Sequence, residues 1–545
     1  MTDCSNPTPW TDTTTLADLP RLAADRWGGR QALLFNEESQ TFDDITRLSN
    51  QAACGLIAAG VCVGDRVGVW LNNCSEWVHL IFAIARVGAI MVPINSRFRT
   101  EDVAYVLSQS ECSTLITHDN SGPIDYWAMA QEMPPNSDQF PYLKRIIIKT
   151  RDPDASAPIG TTHWAAIASN ADNELEGELQ RRADAVGRDD PAFIMYTSGT
   201  TGFPKGVVRS HGFLRNQVDR VKHLGTTERD VMYDYLPLFH IFGYLDGPML
   251  SMAAGNRLIL TETFDPEACL DAIETEGVTQ ISGFETHVKA LVDAQEARPR
   301  NLSTLRTGTF GAGTASAVPI YQKALVVLAP LWPLTAYGMT EIGGNACLSY
   351  LDSTAEQVFN SSGPPCDGFE FRVIDPETGS DQPYETPGEI VVKSYNLMLC
   401  YYKKPEETAK AYDVDGWFRT GDMGYLRADG YLRFLGRYKD MLKIGGENVD
   451  PMEVEAYLQG HSDVAEVAVV GHPNDRLTEV AIAFVVPRAG TEPCEEDILN
   501  YCRGRIASFK IPQHILFLAK LPMTSTGKVR KADLREQALA ELNTA

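Results

Sequence analysis

The sequence predicts an α/β protein: a large N-terminal domain of parallel-type sheets wrapped by helices plus a β-rich subdomain, followed by a smaller α+β C-terminal domain. Three observations carry this. The chain has 545 residues, more than one hydrophobic core serves, so two or more domains are expected. Strand-like apolar runs alternate with helical patterns through its first four-fifths, as in parallel α/β sheets. A turn-rich stretch at 363–436 and a helix–strand–strand–helix pattern then break that alternation.

The elements follow in order. Residues 67–71, 90–94, 145–148, 193–196 and 257–260 are short aliphatic runs that read as buried strands. Helical spacing marks 45–58 and 265–276. The most apolar stretch, 77–94, contains His79 and Arg86 and is broken by Gly88. It reads as a buried helix followed by a strand, not as a membrane span. Past residue 436 a helix is expected around 451–459, strands at 464–470 and 481–486, and a helix near 495–505. The glycine-bearing, charged link Gly436-Arg437-Tyr438-Lys439-Asp440 separates the two parts and is the candidate hinge, which divides the chain into 1–438 and 439–545.

Composition narrows the function. Apolar residues at 44% and charged residues at 22% are the balance of a soluble globular protein. The chain does not open with a basic stretch and an apolar run, so a secretory signal is not expected. Asn543-Thr544-Ala545 is not a peroxisomal Ser-Lys-Leu address, and the expected location is cytoplasmic. Eleven cysteines without a C-x-x-C pair and ten histidines without H-x-x-x-H argue against a disulfide framework and a transition metal. A net charge of −24, from 48 basic and 72 acidic residues, makes nucleic acid and anionic membranes poor partners. Residues 501–531 nevertheless hold seven basic residues (Arg503, Arg505, Lys510, Lys520, Lys528, Arg530, Lys531) and no acidic one. An isolated cluster of this kind is ordinarily a solvated face. On so acidic a chain it is expected to meet a polyanion.

The sharpest local signal is a strand, 193–196, that runs into Thr197-Ser198-Gly199-Thr200-Thr201-Gly202-Phe203-Pro204-Lys205-Gly206. Glycines let backbone N–H groups approach an anion, and four hydroxyls with one ammonium in nine residues suit phosphate oxygens. Ser210 is expected to cap the following helix. The Walker pattern fails here, because Phe203-Pro204 separates Gly202 from Lys205 and Gly206 follows the lysine.

In that order the ten residues resemble the signature of the adenylate-forming superfamily of acyl-CoA synthetases, luciferases and peptide-synthetase adenylation domains. Further motifs follow in the family's order. Gly311-Ala312-Gly313 resembles the strip against one face of adenine. Thr335-Ala336-Tyr337-Gly338-Met339-Thr340-Glu341 resembles the adenine and magnesium segment: Tyr337 offers a stacking face, Thr340 a hydroxyl, Glu341 a hard oxygen ligand for Mg²⁺. Trp417-Phe418-Arg419-Thr420-Gly421-Asp422 resembles the ribose motif, in which one carboxylate accepts from both hydroxyls of a diol. Arg437 resembles a nucleotide contact, its alternative being a surface ion pair, and Lys439 stands at the family's pivot. In Thr526-Gly527-Lys528-Val529-Arg530-Lys531, Lys528 matches the adenylation lysine.

The resemblance implies a carboxylic acid–CoA ligase that uses ATP, Mg²⁺ and coenzyme A, with Lys528, Glu341, Thr197 and His240 as catalytic residues. It implies that the C-terminal domain is mobile, withdrawing Lys528 and bringing in Lys443, Gly445 and Gly446 for the pantetheine arm. His240 resembles the gate to the pantetheine tunnel, its alternative being a packed loop histidine. The basic tail, with Arg476 and Lys510, would meet the CoA phosphates. The segment 471–479 departs from the family's G-x-P-D-x-x-x-G-E, with Thr478 where glycine is common, so its CoA contacts are open.

The acyl pocket implied lies around 233–236, 282–286, 308–310 and 338–343 and includes Tyr235, Tyr244, Phe284, Glu285, Phe310 and Gly343. Asp234 and Glu285 could add acidic groups there; Glu285 either reads a hydroxyl or cationic group or faces solvent. The partner implied is a small carboxylic acid. Oligomeric state stays open, a homodimer included. Three other readings stand beside the ligase: an adenylating enzyme that passes the acyl group to a carrier protein, a luciferase-type oxygenase, and a non-catalytic acyl-adenylate sensor. Intact Lys528, Glu341 and Asp422 speak against the sensor.

Overall fold

Local chemistry fixes where the elements begin and end. Thr41 and Asp44 form a reciprocal capping box at the start of helix Phe42–Ala58. Asp265 caps Pro266–Glu276 and Asp450 caps Pro451–Gln459, each with proline in the first turn. Gly88, at φ +76°, closes helix Ser75–Val87. That helix is buried on every side, and two of its polar residues reach partners: His79 Nε2 lies 2.8 Å from Gln40 Oε1, and Arg86 donates to the Ala17 carbonyl at 2.8 Å. The computed structural model describes residues 12–122, 124–152, 155–169, 173–197, 204–311, 318–444, 447–474, 476–503, 506, 508–523 and 529–542.

Among these residues two large sheets form the N-terminal part. One runs Cys347–Leu348, Trp332–Tyr337, Thr307–Gly311, Gln280–Ile281, Val231–Asp234, Arg257–Leu260, Gln31–Phe35, Glu38–Thr41, and is parallel except at its two edge strands. The other runs Cys400–Tyr401, Lys205–Ser210, Pro191–Thr197, Ile90–Pro93, Arg66–Trp70, Cys112–His118, Arg145–Lys149, Thr162–His163, and is antiparallel only around Lys205–Ser210. Helix Ser75–Val87 belongs to one continuous core with residues of both sheets, including Val67, Phe193 and Leu258. The β-rich stretch is an antiparallel sheet of Phe369–Ile374, Gly388–Ser394, Phe418–Leu426 and Leu432–Arg437. After the 3₁₀ turn Tyr438–Asp440, a further sheet begins with Leu442–Ile444 and includes Val464–Asn474, Thr478–Pro487 and His514–Phe517. It has separate apolar clusters, one around Val454, Leu458, Val485 and Ile498, the other around Val470, Phe484 and Leu534.

One sequence expectation is corrected. Ser210 does not cap a helix with its side chain. Pairing with Pro191–Thr197 carries the strand through Ser210, and a 3₁₀ turn, His211–Leu214, intervenes before helix Arg215–Leu224.

The parallel sheet packs so closely at Gly308 that an added Cβ would lie 1.4 Å from the Ile281 carbonyl oxygen, a backbone atom that cannot step aside. Gly308→Ala is expected to cost about 3 kcal/mol or more through overpacking, read as a lower thermal midpoint. Gly29→Ala, where nothing lies within 4 Å, should leave the midpoint nearly unchanged.

Candidate active site

Thr197 ends its strand directly opposite Lys205, so the two residues form the mouth of a hairpin. Ser198, Gly199, Thr200 and Thr201 lie outside the described residues. At the mouth, Tyr105 donates to the Pro204 carbonyl at 2.9 Å. Lys205 Nζ lies 2.6 Å from Glu407 Oε2 and 4.9 Å from the Tyr401 ring centre. The lysine expected to serve phosphate is thus already held by a carboxylate and an aromatic face. Glu407 is accordingly held below the usual carboxylate range, chiefly by its hydrogen bond from Lys205.

Tyr401 extends this group to Glu341. Its hydroxyl donates to Glu341 Oε1 at 3.0 Å. The Glu341 carbonyl accepts from Arg209 Nη1 at 3.0 Å and from the Met398 N–H at 2.7 Å. Gly338 makes this reversal of chain possible, since a Cβ there would lie 1.4 Å from the Gly344 carbonyl oxygen. Glu341 is buried, which raises its carboxyl, while the Tyr401 hydrogen bond and the Arg437 charge pull it back down and Asp422 raises it. Thr340 is buried beside it in the same 3₁₀ turn, Thr340–Ile342.

Asp422 is the second buried carboxylate, 3% exposed. Tyr337 donates to its Oδ2 at 2.7 Å, and Arg437 Nε lies 2.9 Å from its Oδ1. Arg437 also donates to the Thr420 carbonyl at 3.2 Å. Burial draws the Arg437 guanidinium down, but Asp422, Tyr337 and Glu341 carry it above its ordinary value. The Tyr337 ring packs 5.6 Å from Phe434 and 6.3 Å from Phe371. Ala336 pairs with Gly311 at the ends of neighbouring parallel strands. Ala312 and Gly313 lie outside the described residues.

The residues assigned to the acyl pocket divide into two groups. Tyr235, Phe264 and His287 form an aromatic corner, with ring centres 4.5 to 5.0 Å apart. Phe284 joins it, 5.3 Å from Phe242, and its ring lies 2.8 Å from where a Gly311 Cβ would stand. Tyr244 and Phe310, buried as Tyr235 is, have other neighbours. Tyr244 packs among Trp77, Phe193 and Phe213, and Phe310 against Tyr321. Gly343 holds φ +89°, and a Cβ there would lie 2.0 Å from Asn396 Nδ2. His240 is half-buried and its Nδ1 accepts from the Phe242 N–H at 3.3 Å, capping Ile241–Tyr244. Glu285, half-buried, opens helix Glu285–Ala297.

In the C-terminal part Lys439 lies in the turn Tyr438–Asp440 and Lys443 in strand Leu442–Ile444. Their side chains, with Gly445, Gly446 and Lys528, fall outside the described residues. In the basic tail, four charges meet the chain's own carboxylates. Arg503 pairs with Glu496 at 2.5 Å, Lys510 with Glu453 at 2.6 Å, Lys531 with Glu455 at 2.6 Å, and Arg530 with Asp533 at 3.3 Å. Arg476 lines a cavity of about 560 Å³ with Ile444, Leu477 and Phe509. Tyr401, Glu407 and Arg209 were missed by motif reading. Glu407 is 202 residues from Lys205 in sequence, and no motif marks either it or Tyr401.

Asp234 was expected to add an acidic group to the pocket, and this too is corrected. It is fully buried, and burial pushes its carboxyl up to about 8 against a hydrogen bond from the Leu236 N–H. It is therefore neutral at pH 7. Its folded-state value lies above the unfolded one, so the folded state binds the proton more tightly. Its contribution is full below about pH 4 and is lost as pH rises towards 8. Asp234→Asn, which mimics the neutral acid, should flatten the fall of stability across that window in urea titrations at a series of pH values.

The chain matches the AMP-binding enzyme family over residues 21–402 and the AMP-binding enzyme C-terminal domain over residues 453–528. It is 31% identical over 543 residues to YngI of Bacillus subtilis, whose name gives it as an acyl-CoA synthetase, covering 97% of this chain and 98% of that one. It is 33% identical over 530 residues to the 3-[(3aS,4S,7aS)-7a-methyl-1,5-dioxo-octahydro-1H-inden-4-yl]propanoyl:CoA ligase of Rhodococcus jostii, covering 96% and 99%. Among solved structures it is similar to the anthranilate CoA ligase AuaEII in complex with anthranoyl-AMP, at a TM-score of 0.85 and 25% identity, covering 98% and 99%. Both family regions occur in order along one chain, and its relatives in sequence and in fold are synthetases and ligases. The chain belongs to the AMP-binding enzymes, in the acyl-CoA synthetase branch of the adenylate-forming superfamily, and is an AMP-forming acid–CoA ligase.

Proposed function

We propose that this ligase works by domain alternation, with the 197–205 hairpin, Tyr337, Asp422 and Arg437 holding ATP and Glu341 holding Mg²⁺. The observation that carries the reading is the pair of buried carboxylates, Glu341 and Asp422, that share the charge of Arg437. Among the described residues no cluster of three or more metal-ligating side chains occurs. One hard carboxylate completed by substrate phosphates suits Mg²⁺, which binds through few protein ligands. A carboxylate raised by burial also gains from a nearby cation. When bound, Mg²⁺ supplies charge neutralisation for the phosphates.

The chemistry then needs no protein nucleophile. The acid's carboxylate oxygen bonds to the α-phosphorus and pyrophosphate leaves, giving a mixed anhydride whose leaving group is AMP. Both reactants are anionic, so Lys528 and Lys205 serve as the positive partners. The CoA thiolate then attacks the acyl carbon and AMP departs. The segment 439–545 turns about Lys439 between the halves, exchanging Lys528 for the Lys443-Gly445-Gly446 face. Tyr235, Phe284 and Glu285 border the acid, and His240 gates the pantetheine arm. Relatives that act on a bicyclic dioxo propanoate and on anthranilate place ring-bearing acids among the candidates. The free cysteines of the described residues suit a reducing, cytoplasmic setting.

Incubation with Mg-ATP, CoA and a panel of straight-chain, branched, aromatic and polycyclic acids should release pyrophosphate and yield one class of acyl-CoA. Pyrophosphate without a thioester would move the acceptor to a carrier protein. Lys528→Ala should slow pyrophosphate release about a hundredfold or more. The same variant should still convert supplied acyl-adenylate to acyl-CoA in a single turnover. Tyr401→Phe removes a hydrogen bond that holds the Glu341 carboxyl down. The acidic limb of the pH–rate profile for adenylation should then move to higher pH, with the plateau retained.

A further inference from the structure

Helix Arg215–Leu224 carries a polar group that the adenylation chemistry does not use. Gln217 and Arg220, three residues apart and so on one face of the helix, are both 0% exposed. Buried polar side chains of this kind persist when hydrogen-bonded. Arg220 pairs with Asp246, also fully buried. Asp246 sits in a π-helical turn, Leu245–Met249, that directly follows the short helix capped by His240. π-helical turns recur at functional sites. Asp246 Oδ2 accepts from Ser282 Oγ at 2.7 Å, and Ser282 Oγ accepts from the Thr309 N–H at 3.1 Å. This chain of contacts ends on Ser282 and Thr309, in segments that the family resemblance assigns to the acyl pocket.

The group does not satisfy itself. Gln217 Nε2 and Oε1, Arg220 Nε and Nη1, and Thr309 Oγ1 are buried without a hydrogen-bond partner in the protein. Each such atom is costly when left unmet, so several together call for a ligand that meets them. The charges restrict what that ligand is. Arg220 and Asp246 cancel, and Asp234 nearby is neutral at pH 7. A second carboxylate would have to displace Asp246, whereas a neutral oxygen has only to take spare N–H and O–H groups.

We propose that Gln217, Arg220 and Thr309 read an oxygen on the tail of the acid, so that the substrate class is an oxo- or hydroxy-bearing carboxylic acid, neutral beyond its reacting carboxylate. The inference rests on the ligase reading and on an acyl pocket at these segments. Its test compares kcat/KM for pyrophosphate release on matched acids: octanoate with its 5-oxo and 7-oxo derivatives and octanedioate, and 3-cyclohexylpropanoate with its 4-oxo derivative. In the unaltered enzyme at least one oxo acid should exceed its hydrocarbon partner tenfold or more, because a site built for hydrogen bonds rejects the analogue that lacks them.

In Gln217→Leu and in Thr309→Val that ratio should shrink to less than about threefold, whichever way the absolute rates move. A merely structural role would lower both acids of a pair together and leave the ratio alone. Either variant carries the test if the other fails to give a normal thermal melt. Equal rates within every pair, a preference for octanedioate, or a ratio unchanged in both variants overturns the inference while leaving the ligase intact. Absence of pyrophosphate with every acid removes the ligase reading and this inference with it.

Discussion

The carboxylate of Asp422 is where the separately folded parts of this chain become one site. It lies on the antiparallel sheet, accepts from Tyr337 at the end of the large parallel sheet, and pairs with Arg437, one residue before the turn Tyr438–Asp440. A buried carboxylate is costly unless a charge and hydrogen bonds answer it. Arg437 provides the charge and Tyr337 a hydrogen bond, so three segments are tied by a single electrostatic requirement. The same arginine acts on Glu341, and through Glu341 on the contact with Tyr401. Under the proposed domain alternation, movement at the turn would change the charge balance at both buried carboxylates and so link the position of the C-terminal part to the nucleotide.

Much of this was legible in the chain, and what was not has a common cause. Helix Pro451–Gln459 is readable to its ends because Asp450 and Pro451 start it and Gly460 follows it. The alternation of strands and helices gave the parallel sheets because burial on both faces demands continuous apolar runs. Errors arose where a non-local partner decides. Ser210 looks like a helix cap, but pairing with a strand nearly twenty residues earlier holds it extended. The tail 501–531 looks like an unanswered positive field, but Glu453, Glu455 and Glu496 answer three of its charges from outside the stretch. Lys205 was placed by its motif, whereas its partners Glu407 and Tyr401 belong to no motif.

The same reasoning separates two kinds of buried arginine. Arg209 is as buried as Arg220, and burial pulls it to about 10, so it keeps its charge at neutral pH. It donates to the carbonyls of Glu341 and Asn396 at 3.0 and 2.9 Å and to the Asn396 side chain. Those acceptors come from the turn that carries Glu341 and from the segment against Gly343, so Arg209 clamps the Glu341 loop to its support. Arg220 finds one carboxylate and leaves donors over, beside a glutamine that finds nothing.

Arg209 also leaves one donor over, its Nε, so the two guanidiniums differ in degree. Arg220 leaves more unmet, next to the π-helical turn behind His240. Burial alone does not make that distinction, since both arginines are equally hidden. The number of unmet donors makes it, and under the proposal above they await an oxygen on the acid.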